Sequence, residues 1–225
     1  MPAHVGYILD GNRRWARKQG LAVMRGHERG KTVVREIVKS TFQAGVKYVT
    51  IYAFSTENWR RDSKEVSFLM SNVVSAFDEY LEDFVRDGIK IMLLGSRAEL
   101  PADVRDAIEN AEQTTSANTK AVLGICLNYG GHEEIMQAVQ RIVRIGTKPE
   151  DIDESIIEQN LYAPEIPPCD VIVRTSGEQR LSNFMLWRAA YSELIFIDKL
   201  WPEMTNADVN DILEEYKRRG RRFGG

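Results

Sequence analysis

Apolar positions along the chain fall into two rhythms, short continuous runs and longer stretches at helical spacing. The runs His4 to Leu9, Val46 to Phe54, Ile89 to Leu94, Ala121 to Leu127, Asp170 to Val173 and Leu194 to Ile197 read as strands. Helical spacing runs through Lys31 to Ala44, where Val33, Val34, Ile37, Val38, Thr41 and Phe42 recur, with Gly45 as the stop. It returns over Lys64 to Val85 as a wide stripe from Val66 to Val85, closed by Gly88. Further helices are predicted over Pro101 to Ser116, His132 to Ile145, Asp153 to Leu161 and Thr205 to Arg218. Strands alternating with helices predict an α/β fold: a single domain over residues 1–225, with a largely parallel six-stranded sheet flanked by helices.

This pattern places polar chemistry. In open α/β sheets ligands bind beyond the carboxyl ends of the strands. Four polar motifs fall there: Asp10 with the residues after it, Ser55 to Arg61, Asn128 to Gly131 and Arg174 to Ser182. In the first, Gly11 and Asn12 let the chain turn closely around a bound group. Arg13 and Arg14 offer forked donors suited to phosphate oxygens, whereas Asp10 would repel a phosphate unless a divalent cation stood between them. That combination suggests a diphosphate carried with magnesium; the plainer reading is that Asp10 caps a helix and the arginines are solvated. Arg61, Arg174 and Arg180, with hydroxyls or amides at Ser55, Asn58 and Ser182, extend the set enough to hold more than one phosphate-like group.

Composition narrows the class. Thirty Lys and Arg against 33 Asp and Glu, a net charge of −3, argues against general affinity for nucleic acid. Cys126 and Cys169 lack metal-ligand spacing and fit a reducing cytosol. Neither a signal peptide nor an apolar run long enough to span a membrane is visible, so a cytoplasmic protein is expected, with peripheral membrane contact left open. There is no G-x-x-x-x-G-K-[ST] loop and no G-x-G-x-x-G turn. His4, His27 and His132 lack metal-binding spacing; His27 stands out for lying in a glycine-flanked turn, Gly26 to Gly30, near the arginine motif. Ser176 and Ser182 have no obvious base. Glu193, in a mostly apolar context before the sixth strand, is either a second magnesium ligand or a solvated strand-edge acid.

Laid out in order, these blocks resemble the cis-prenyltransferases of the undecaprenyl diphosphate synthase family. The matching residues are Asp10-Gly11-Asn12-x-Arg14-Trp15, Gly26-His27-x-x-Gly30, Tyr52 to Trp59 with Arg61, Asn128 to Gly131, Arg174 to Glu178 with Arg180, Ser182 and Asn183, Trp187 to Glu193, and Arg221 to Gly225. The resemblance implies condensation of isopentenyl diphosphate onto an allylic prenyl diphosphate with Z geometry, in a homodimer. It implies that Asp10 holds Mg2+ and that Gly11, Asn12, Arg13, Arg14 and Trp15, with His27 and Arg61, surround the allylic diphosphate. Asn58, among Ser55, Thr56, Glu57 and Trp59, would orient the second substrate and assist loss of its proton, with released diphosphate as a competing acceptor. Arg174, Arg180, Leu181 and Ser182 would bind isopentenyl diphosphate, and Glu193 would complete the metal site from its own or the neighbouring subunit.

A hydrocarbon product needs an apolar tunnel. The long helical stripe, the Val33-to-Phe42 face and the run Ala121 to Leu127 are candidates, and core packing would use the same residues. Arg13 and Val23 depart from common family residues and bear on the choice of farnesyl, geranylgeranyl or shorter primer. The other readings are a short-chain Z-prenyl diphosphate synthase, a non-catalytic partner subunit and a haloacid-dehalogenase-like phosphatase, the last lacking a second Asp at Asn12.

Overall fold

In the computed structural model, which describes residues 1–219, six strands form one sheet. They are β1 (His4–Ile8), β2 (Tyr48–Ser55), β3 (Ile89–Leu94), β4 (Ala121–Tyr129), β5 (Val171–Arg174) and β6 (Glu193–Phe196), ordered β3-β4-β2-β1-β5-β6 with every pairing parallel. Helices α1 (Asn12–Lys18), α2 (Val23–Gln43), α3 (Ser63–Arg86), α4 (Ala102–Thr115), α5 (Gly131–Arg144), α6 (Glu154–Gln159) and α7 (Asn206–Arg219) connect or follow them. The central strands read as unbroken apolar runs because both faces are covered; all five residues of β1 are buried. Val33, Ile37 and Val38 of α2 pack with Val209, Ile212 and Leu213 of α7 against one part of the sheet. Met70 and Phe77 of α3 pack with Val104 and Ile108 of α4 against another. No helix among the described residues is long and apolar enough to cross a membrane.

Topology fixes where a ligand can enter. From β1 the chain continues to β2 on one side, and from β5 to β6 on the other, so the crossovers diverge between β1 and β5. Ile8 pairs with Arg174 at that seam, with Asp10 two residues beyond. This is the crevice expected at a switch point in strand order.

Two expectations change. The stretch after Gly11 is helical, and Gly11, at φ +114°, makes the turn into α1; Asp10 does not cap it. Helix α2 starts at Val23, so Gly26 and Gly30 lie inside a helix rather than in a turn, and His27 is a buried helical residue. Glycine inside a helix costs about 1 kcal/mol against alanine. Here it permits contact: a Cβ on Gly26 would sit 2.2 Å from the Asn12 carbonyl oxygen, and one on Gly30 would sit 2.4 Å from Asn12 Oδ1. Gly26→Ala is therefore expected to lower stability by roughly 1–3 kcal/mol through overpacking, read as a fall of about 2–4 °C in Tm per kcal/mol. A rise in Tm would mean that helix propensity outweighs a slack contact.

Candidate active site

Asp10 is held by its backbone before its side chain does anything. Its carbonyl oxygen accepts from Thr175 Oγ1 at 2.6 Å and from the Trp201 amide at 2.9 Å. The carboxylate then accepts from Arg174 Nη2 at 2.8 Å and from Arg14 Nη2 at 3.2 Å. Burial alone would raise the Asp10 carboxyl, but the hydrogen bonds and charges of Arg174 and then Arg14 outweigh it and hold the group below its ordinary value. Arg174, almost fully buried at the end of β5, also donates through Nη1 to the Arg180 carbonyl at 2.6 Å and to Ser182 Oγ at 2.8 Å. Its Nε is buried without a hydrogen-bond partner, as is Asn12 Oδ1. Arg14 reaches Ser176 Oγ at 2.5 Å and Glu178 at 3.3 Å, which ties the first and last motifs together.

A second cluster faces them. Glu65, buried in the first turn of α3, accepts from His27 Nε2 at 3.1 Å and from Arg61 Nη1 at 3.2 Å, and lies 3.9 Å from Arg13 Nε. The Asp62 carboxylate caps that turn through the Lys64 and Glu65 amides. Burial is the largest influence on His27 and lowers its pKa despite Glu65, which favours a neutral ring donating one N–H. Glu65 carries no motif signature; only its place four residues after Arg61 hints at a partner.

In the short 3-10 helix Thr56–Arg60, the Asn58 side-chain oxygen accepts from the Ser55 amide at 3.2 Å. Its Nδ2 is then the end with donors to offer. Trp59 Nε1 donates to Asn128 Oδ1 at 2.8 Å and its ring packs edge-on against Phe54.

These groups surround the mouth of a cavity of about 1040 Å³. Of the residues named from sequence, Asp10, Gly11, Asn12, Arg13, Arg14, His27, Ser55, Glu57, Asn58, Arg61, Arg174, Arg180 and Ser182 line it. Trp15, Thr56, Trp59 and Leu181 are not part of that lining. Below the mouth the walls turn apolar, with Val34 of α2, Leu69, Val73, Phe77 and Phe84 of α3, and Ile51, Leu123 and Ile125 from the sheet. Ala121 does not reach this throat; with Phe42, Val46 and Ile89 it lines a separate cavity of about 340 Å³. Along the seam between α2 and α3, Lys31 pairs with Glu79 at 2.6 Å, Arg35 with Asp83, and Lys39 with Asp87 at 3.3 Å.

Glu193 is elsewhere. It opens β6 opposite Val171, three residues of strand, or about 10 Å of rise, before the rim where Phe196 meets Arg174. Its carboxylate meets Arg219 at 3.1 Å. Within one chain it cannot share a metal with Asp10, so the own-subunit reading of Glu193 is set aside. No group of three His, Cys, Asp or Glu residues able to hold a metal occurs among the described residues. The predicted ending Arg221 to Gly225 lies outside the described residues.

The prenyltransferase family model described as undecaprenyl diphosphate synthase matches residues 8–224. The chain belongs to that family. An isoprenyl transferase of Thermotoga maritima is 44% identical over 227 residues, covering 100% of this chain and 97% of the relative. Decaprenyl diphosphate synthase of Mycobacterium leprae is 43% identical, covering 100% of this chain and 77% of its own. Among solved structures, lavandulyl diphosphate synthase from Lavandula x intermedia, in complex with dimethylallyl diphosphate, superposes with a TM-score of 0.96 at 35% identity, covering 100% of this chain and 98% of that one. The protein is a cis-prenyltransferase, an enzyme that transfers prenyl groups, and the phosphatase and partner-subunit readings fall away. In this family setting Glu65 has a measurable consequence. Glu65→Gln is expected to lower kcat about tenfold, the scale of one hydrogen bond to a charged group, while inorganic diphosphate binds no more weakly because a negative charge has gone. Weaker binding with unchanged kcat would reduce Glu65 to a tether for the arginines.

Proposed function

We propose that the enzyme condenses isopentenyl diphosphate with an allylic diphosphate, farnesyl or geranylgeranyl, to make a Z-polyprenyl diphosphate of the kind that carries cell-envelope glycans. The observation that carries this reading is an arginine-rich mouth, with Asp10 held between Arg14 and Arg174, above an apolar throat. Two diphosphates fit the charged groups, and a growing hydrocarbon gains about 0.8 kcal/mol per CH₂ on entering the throat.

Arg13, Arg14, His27 and Arg61, with the turn Gly11-Asn12, receive the allylic diphosphate; Arg174, Arg180 and Ser182 receive that of isopentenyl diphosphate. The allylic C1–O bond breaks, and its electron pair leaves with diphosphate into preorganised positive charge. The isopentenyl double bond attacks C1, and loss of a proton from its C2 forms the new Z double bond. Asn58 Nδ2 orients the second substrate; an amide is a poor base, so released diphosphate takes the proton.

The donor set fits magnesium in one way. Asp10 is the carboxylate set among the arginines of the mouth, Glu57 on the same lining being engaged by Asn183 instead, and Mg2+ characteristically binds one or two carboxylates together with substrate phosphates and water. When bound, Mg2+ neutralises charge developing on the leaving diphosphate. Glu193 of the partner subunit would complete the site in a homodimer. Support for that assembly comes from the exposed apolar stripe Met136, Val139 and Val143 on α5, which a second copy could cover. The enzyme acts in the cytoplasm, with peripheral contact at the membrane face where product is released.

A short-chain product is the second reading, favoured by the separation of the Ala121 cavity from the throat. Both are tested by incubating the purified protein with labelled isopentenyl diphosphate, magnesium and, separately, geranyl, farnesyl and geranylgeranyl diphosphates, then sizing the products by chromatography. A long Z-polyprenyl product supports the first reading and a product that stops one or two isoprene units beyond the primer the second. No incorporation with any primer would overturn both.

A further inference from the structure

Helix α5 has no cap of its own. Its N-cap position is Gly130, which has no side chain to offer the first-turn amides. Those amides are satisfied from 51 residues away: His132 N donates to Asn183 Oδ1 at 2.9 Å, and Gly131 N donates to the Asn183 carbonyl at 2.7 Å. The other end of the same carboxamide, Nδ2, donates to Glu57 Oε1 at 3.0 Å. Space is reserved for this arrangement. A Cβ on Gly130 would lie 2.7 Å from Asn183 Nδ2 and 2.9 Å from Thr56 Oγ1. Asn183 and the preceding Ser182 both have positive φ, +66° and +49°, a conformation that Asn accepts more readily than most residues.

Asn183 therefore joins three of the four polar motifs: its side chain and carbonyl hold the start of α5, its side chain reaches the turn that carries Asn58, and its backbone continues the loop that carries Arg180 and Ser182. The fourth motif joins through the Arg174–Asp10 pair. We propose that Asn183 is a positioning residue that sets the spacing between the Asn58 turn and the isopentenyl diphosphate loop, so that the attacking double bond is presented to the allylic carbon. This rests on the condensation proposed above. Asn183 acts through Glu57 on one side and through the backbone of Ser182 on the other, with both ends of its carboxamide hydrogen-bonded.

The test separates the helix cap from the link to Glu57. Asn183→Asp keeps an acceptor for the His132 amide but sets a carboxylate against Glu57. Glu57→Gln in that background restores a donor–acceptor pair with the direction of the hydrogen bond reversed. With wild-type turnover as the reference, Asn183→Asp is expected to raise KM for isopentenyl diphosphate or lower kcat by about tenfold, with KM for the allylic primer changed less than twofold and Tm close to wild type. The double variant should recover most of that loss, so that the two substitutions are not multiplicative. Activity of Asn183→Asp equal to wild type would reduce Asn183 to a helix cap. A double variant no better than the product of the singles would overturn the link through Glu57. If Asn183→Asp does not fold, Glu57→Ala leaves the cap intact and must show the same selective loss toward isopentenyl diphosphate. Failure of wild type to turn over any primer would instead strike the condensation itself, which separates the two outcomes.

Discussion

Asp10→Ala is expected to lower kcat/KM by about three orders of magnitude or more, the scale seen when a charge-stabilising group is lost from a reacting centre, while the protein stays folded. Among the described residues Asp10 is the one carboxylate bonded to both Arg14 and Arg174 at the mouth, and it is the residue the magnesium proposal depends on. The fold should survive because Arg174 keeps the Arg180 carbonyl and Ser182 Oγ, and the Asp10 backbone keeps Thr175 and Trp201. Steady-state kinetics with isopentenyl and farnesyl diphosphates, beside a thermal melt, would check both halves; near-normal turnover would refute the metal role. The same pairing sets a pH dependence. Because the folded Asp10 carboxyl lies below its ordinary value of 3.8, its contribution to stability is fully present above that value and is lost as pH falls through the depressed one.

The largest expected loss of stability lies away from the cavity. Glu134 and Arg188 are both buried, with Arg188 Nη1 2.5 Å from Glu134 Oε1. Glu134 also accepts from Tyr129 OH at 2.5 Å and the Tyr162 amide at 3.2 Å, while Arg188 donates to the carbonyls of Tyr162, Ala163 and Ile166. The pair thus fixes the segment between α6 and β5 onto α5. Removing one partner leaves a buried charge uncompensated, so Glu134→Ala is expected to cost about 3–5 kcal/mol. Replacing both, Glu134→Leu with Arg188→Met, is expected to cost less than either alone, because no lone charge remains buried. Chemical denaturation of the three variants would decide it, and additive losses would show that the two residues act independently.

The sheet is legible in the sequence because buried parallel strands leave continuous apolar runs: Ile89 to Leu94 matches β3 at both ends. The cavity mouth is legible for a related reason, since strand ends are where a parallel sheet leaves polar residues to converge. What escapes the sequence is set by contacts between distant elements. The first two turns of α2 look like a turn because Gly26 and Gly30 answer to Asn12 on another helix rather than to their own. Glu65 resembles any polar residue opening a helix until His27, from α2, is placed against it. Asn183 is legible as part of a motif, but its role depends on an amide 51 residues away. That Glu193 lies away from its own chain's Asp10 is equally hidden in the sequence, because its place is set by the pairing of β6 with β5, where Arg219 receives it.

The seam between α2 and α3 gives the throat unequal stiffness. At the mouth, arginines, carboxylates and backbone groups are cross-bonded, and displacing Asp10, Arg14, Arg174 or Glu65 breaks several hydrogen bonds together. Lower down, the two helices are stitched by Lys31–Glu79, Arg35–Asp83 and Lys39–Asp87, pairs that each keep at least one charged end exposed to water. Surface pairs of this kind are worth about 0–1 kcal/mol each. Parting them exchanges one hydrated arrangement of charges for another, and raised salt makes the exchange easier still. The wall is rigid around the bond being made and yielding around the tail already made, so a lengthening chain meets a slot that can widen, not a bore of fixed gauge.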